Sequence, residues 1–115
     1  MTTSNFEMDE STSPLSELYA KAGAKWADLD AAAQLLEDTK SAEMAQRQTQ
    51  LGDIPVNRAE QIVKSSPEWM ARLEQTVEAR RLANVAKVQL EVIRMRYFEE
   101  ANKNANARVE MKMVS

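Results

Sequence analysis

The chain has 115 residues, with 18 acidic and 15 basic side chains, no His and no Cys. Those two absences remove the commonest general base, the thiolate nucleophile and every zinc or iron–sulfur site built on them. Two Gly and three Pro leave little material for phosphate loops or a multi-strand sheet, so an all-α, non-enzymatic protein without cofactor or metal is expected.

No stretch approaches the roughly 20 apolar residues of a membrane span. The opening MTTSNFEMDESTS has neither a basic nor an apolar region of the secretory kind, and a cytoplasmic location is expected. Residues 1–13 are rich in Ser and Thr and carry Glu7, Asp9 and Glu10 with no Lys or Arg, which predicts a disordered acidic arm.

Ser13-Pro14 has the form of a helix start, with Glu17 in the first turn. Leu15, Tyr19, Ala22, Trp26, Leu29, Ala33 and Leu36 follow at spacings of four and three, an apolar seam of heptad type. Beyond Leu36 the same positions hold Lys40, Glu43 and Arg47, and the apolar seam fails. The first helix is expected over about 14–51, stopped by Gly52. Asn57-Arg58-Ala59-Glu60 reads as a capping box opening a short helix over about 57–65. Ser66-Pro67 then starts a second long helix, expected to end near Asn102, where Asn102, Asn104 and Asn106 lower helix propensity.

Folding the two long helices antiparallel brings together positions whose numbers sum to about 118. The apolar stretch Leu15–Leu36 then meets Leu82–Phe98, and the apolar-poor segment 37–50 meets 67–81. The expected architecture is a long antiparallel helical hairpin forming a single domain over 14–115. The apolar residues between 82 and 97 span an arc of roughly 220°, more than the ~100° that one neighbouring helix covers. Val88, Met95 and Phe98 are therefore expected at an oligomer interface, with a second copy of the chain as the partner.

Catalytic chemistry finds no support. Asp28 and Asp30 are two residues apart on a helix, so their carboxylates diverge by about 200°. No nucleophile elbow, Walker loop or dinucleotide fingerprint occurs, and no small-molecule substrate is expected.

The charge distribution is more informative. Residues 1–55 carry ten acidic and four basic side chains, whereas residues 56–115 carry eight acidic and eleven basic. Within the second helix Arg80, Lys87 and Arg94 recur every seven residues, and Arg108 falls on the same repeat if the helix continues. This ridge is expected opposite the centre of the apolar arc, flanked by Arg81 and Arg96. It suits sequence-independent contact with phosphates, or simple solubilisation with local pairing to Glu78 and Glu91. Trp26 and Tyr19 lie on the packing seam, whereas Trp69 and Phe98 are less committed and Trp69 is expected to pack over its turn.

Several phrases carry a resemblance: Tyr19-Ala-Lys-Ala, Lys25-Trp26-Ala27-Asp28, Leu35-Leu36-Glu37-Asp38-Thr39-Lys40-Ser41, Ser65-Ser66-Pro67-Glu68-Trp69 and Val77-Glu78-Ala79-Arg80. Together they resemble a small helical family of tailed phages, over about residues 15–100. The Lys25-Trp26 step and the Gly52-Asp53 turn are more loosely similar to the UvsY family of phage recombination mediators. That likeness implies an oligomeric protein of recombination or replication in the host cytoplasm. Its implied partners are single-stranded DNA and a RecA-like recombinase or single-strand-binding protein. The alternative is a non-enzymatic module that binds a host or phage protein through its apolar or acidic surface.

Overall fold

A computed structural model describes residues 14–114; the expected acidic arm and the Ser13 cap lie outside them. The described residues are mostly helical and contain no strand. Four helices follow in order: α1 (Pro14–Asp38), α2 (Lys40–Gln50), α3 (Val56–Lys64) and α4 (Pro67–Val114). The chain divides into two compact units. One comprises residues up to Ala27 together with those from Val85 onward, and the other comprises Asp28–Asn84.

In the first unit, Leu15, Tyr19, Ala22 and Trp26 of α1 are all partly covered, as their four-and-three spacing requires. On α4 the covered positions are Ala86, Leu90, Ile93 and Tyr97. The Tyr19 and Tyr97 rings meet at 5.6 Å with a 58° tilt, and Tyr97 takes Phe98 edge-on at 5.5 Å. Four residues further along α1, a Cβ built on Gly23 would lie 3.9 Å from Leu90 Cδ1. α1 therefore runs antiparallel to α4 here, because the later residue of one meets the earlier residue of the other.

In the second unit, the α1 seam continues through Leu29, Ala33 and Leu36, with Ala33 fully buried. The covered α4 positions are Trp69, Arg72, Leu73, Thr76, Ala79, Arg80 and Ala83. Small residues and two arginines occupy much of this face, so hydrophobicity alone does not mark it. Trp69 is buried with Ala59 and Val63 of α3, and α3 packs on α2. The burial of Trp69 matches packing over the turn and takes its ring out of reach of a nucleic-acid base.

Three local features differ from the sequence expectation. The first long helix is interrupted at Thr39. There the Thr39 hydroxyl donates to the Leu35 carbonyl at 2.7 Å, a back-bond that bends helices. The Arg72 guanidinium donates to the next carbonyl, Leu36, at 2.9 Å and to Thr39 Oγ1 at 3.1 Å.

The second difference is at α3, which begins at Val56 after Pro55 with no side-chain cap, so the Asn57–Glu60 capping box does not form. Pro at the entry needs no N–H partner and fixes its own φ, which is start signal enough. The third is that α4 continues to Val114, past the Asn-rich stretch. Each Asn costs only about 0.5 kcal/mol against Ala, and the intervening Ala, Lys, Arg, Glu and Met favour helix.

The other boundaries follow the sequence. Gly52 ends the α2 segment at φ +88°, a value that disfavours any side chain. Ser66 caps α4, accepting from the Trp69 N–H at 3.2 Å while donating to the Val63 carbonyl at 2.6 Å.

Candidate nucleic-acid interface

The cations of α4 divide by what α1 and α2 offer them. In the unit formed by Asp28–Asn84, Arg80 is held by two carboxylates. Its Nε and Nη2 donate to Glu37 at 2.9 and 2.7 Å, and its Nη1 donates to Asp30 at 2.7 Å. Asp30 and Glu37 are seven residues apart on α1, two turns of one face, so a single guanidinium fork reaches both. The hydrogen bonds from Arg80 hold the Glu37 carboxyl below its ordinary value, and the same bonds raise the Arg80 guanidinium further. Arg81 is engaged within its own helix, donating to Glu78 at 2.6–3.2 Å, which lowers the Glu78 carboxyl in the same way.

Arg72 is 6% exposed, the most buried charged residue described in either unit. Its Nε lies 2.7 Å from Glu43 Oε2, but that N–H is not aimed at the oxygen, so the contact is coulombic and the N–H has no acceptor. Its Nη1 donates to Thr76 at 3.3 Å, and its guanidinium carbon lies 5.6 Å from the Trp69 ring centroid. Glu43 also takes Arg47 at 3.3 Å. The seam that loses its apolar residues after Leu36 thus continues in polar form, with Glu43 in the seam and Arg72 as its counterpart.

In the other unit the setting is different. Its part of α1 contains one acidic residue, Glu17, and that residue pairs with Lys21 at 3.2 Å. Lys87 and Arg108 are exposed and have no ion pair among the described residues. Arg94 is exposed too, and its guanidinium carbon sits 5.5 Å from the Phe98 ring centroid, leaving its N–H groups free of carboxylate. Arg80, Lys87 and Arg94 each follow a covered position of α4 by one residue: Ala79, Ala86 and Ile93. The repeat therefore flanks the packed face.

Of the residues expected at an oligomer interface, Val88, Met95 and Phe98 are all exposed. The distinction between paired and unpaired cations was readable in part from the sequence. The acidic residues of α1 and α2 from Asp28 to Glu43 cluster in the segment that meets α4 before residue 85.

No described helix is long and apolar enough to cross a membrane, and the described residues contain no cluster of three His, Cys, Asp or Glu fit for a metal ion. Comparison with protein-family models, with curated proteins and with solved structures finds no match for this chain.

Proposed function

We propose that this chain is a phage-type accessory protein of recombination or replication, a helical hairpin that self-associates and binds single-stranded DNA without sequence preference. Lys87, Arg94 and Arg108 make the phosphate contacts, while Arg80 acts as an internal clamp. The observation that carries the reading is the set of exposed cations without carboxylate partners on one side of α4, with Lys87 and Arg94 seven residues apart and Arg108 fourteen further on. Seven residues rise about 10.5 Å, so Lys87 and Arg94 stand two turns apart on one side of α4. The resemblance of several phrases to a small phage family suits a phage origin, and the looser likeness to recombination mediators points to a RecA-like recombinase or a single-strand-binding protein as the protein partner.

The test is fluorescence anisotropy of a labelled single-stranded oligonucleotide, titrated at low and near-physiological salt. Binding that weakens steeply with salt, and is weaker for duplex, is expected. The variant K87E/R94E/R108E loses that binding with its helical circular dichroism unchanged. A variant that binds as the parent does rules out the assignment of these cations.

A second reading, docking on a host or phage protein, is favoured by the exposed Val85, Val88, Val92 and Met95. It predicts no DNA binding at either salt and a discrete protein partner.

A further inference from the structure

α4 is apolar on two sides. Ala86, Leu90, Ile93 and Tyr97 form its covered side, whereas Val85, Val88, Val92 and Met95 are between 42% and 62% exposed. At 100° per residue the two stripes are centred roughly 150° apart, so α1 cannot cover both. The outer stripe has its own three-four-three spacing, which is the pattern that accepts the side chains of a second helix.

The ends of the stripe say which helix it accepts. Arg81 precedes Val85 by four residues and Glu99 follows Met95 by four, so each charge lies on the line of the stripe itself. Read as Arg81, Val85, Val88, Val92, Met95, Glu99, the stripe is its own complement when inverted. Positions whose numbers sum to 180 then meet: Val85 with Met95, Val88 with Val92, and Arg81 with Glu99 at both ends. A parallel pair would set Arg81 on Arg81 and Glu99 on Glu99, like charges at the seam. The inverted pair brings Glu91 near its own copy only on the solvated flank, a smaller repulsion than the two end pairs offset.

We infer that the outer stripe of α4 binds the same stripe of a second copy, antiparallel about a two-fold axis near residue 90. The inference rests on the proposal that the chain self-associates, and it adds the surface, the orientation and the register. Lys87 and Arg94 lie about 120° or more from the stripe, so both copies keep them open to solvent. In the free chain Arg81 is tied to Glu78 by an exposed pair, which is weak enough to exchange for Glu99 of a second copy.

Because the chain has no Cys, single cysteines report the register without background. V85C and M95C proteins, mixed and oxidised, are expected to form the mixed disulfide. Neither alone crosslinks to itself, since equal positions lie about 15 Å apart along the axis in the antiparallel pair. Efficient crosslinking of V85C to itself overturns the orientation. In sedimentation, R81E weakens association about tenfold and R81E/E99R restores it. A chain that sediments as a monomer at every concentration overturns the inference, as does a double variant no better than R81E. Loss of DNA binding with the mixed disulfide intact would count against the proposed function alone.

Discussion

α4 passes through two different chemical settings, and the contrast between them explains why one cation repeat is paired in the first and unpaired in the second. Before residue 85 it faces Asp30, Glu37 and Glu43, and two of its three arginines are spent on them: Arg80 bridges two carboxylates and Arg72 lies buried against a third. After residue 85 it faces Tyr19, Gly23 and a largely uncharged stretch of α1, and Lys87, Arg94 and Arg108 keep their charges for solvent. The spacing of a cation along a helix thus does not set its role. The charges of the neighbouring helix decide whether it becomes an internal tie or stays open to solvent.

The contrast is sharpest at Arg72. Replacing it with Ala removes donors from the Leu36 carbonyl, Thr39 and Thr76, and leaves Glu43 without its buried partner. A loss of about 3 kcal/mol is expected in urea unfolding followed by circular dichroism. Arg72→Lys restores little of it, because an ammonium cannot reach the carbonyl, the hydroxyl and the carboxylate together. Recovery of full stability in the Lys variant would show that charge alone matters at this site.

The two glycines give changes of opposite sign. Gly52→Ala places a side chain at φ +88° and should destabilise by about 1 kcal/mol, although a Cβ there meets nothing within 4 Å. Gly23→Ala adds a methyl within an α-helix, at an ordinary 3.9 Å contact with Leu90, and should stabilise by up to about 1 kcal/mol. Thermal unfolding of the two variants checks both signs. A destabilised Gly23→Ala would mean that α1 and α4 approach more closely at this point than the 3.9 Å contact allows.

The smallest expected effect is a pH dependence confined to the carboxylate-rich unit. Arg80 holds Glu37 below its ordinary value of about 4.5, so the folded state binds fewer protons there than the unfolded state. The stabilisation is therefore present above about pH 4.5 and is lost as pH falls through the lowered folded value. Glu37→Gln should flatten that part of the acid unfolding profile. An unchanged acid limb would mean that the Glu37–Arg80 pair contributes nothing measurable.

Much of the helical framework was legible from local signals. The four-three seam from Leu15 to Leu36, the Gly52 stop and the Ser66-Pro67 start each depend on residues close in sequence, and each appears where those residues put it. The break at Thr39 was not legible, because it involves Arg72, which lies far along the chain. The covered face of α4 was legible only in part. Hydrophobicity points to Leu90, Ile93 and Tyr97, which are covered, but equally to Leu82, Val85, Val88 and Val92, which are exposed. Arg72, Thr76, Ala83 and Ala86, by contrast, are packed because their small size or pairing lets neighbouring helices approach. For the candidate site, the repeat of cations was visible, but the division between Arg80 and the later members depends on which carboxylates face them.

The central claim is that pairing, not spacing, assigns the cations of α4. Its most direct test is the salt dependence of single-stranded DNA binding for Arg80→Gln beside Arg94→Gln. The account predicts that Arg94→Gln weakens binding and lowers the salt slope by about one, whereas Arg80→Gln lowers the melting temperature and leaves the slope unchanged. Equal slopes for parent and Arg94→Gln, or a lowered slope for Arg80→Gln, would contradict it.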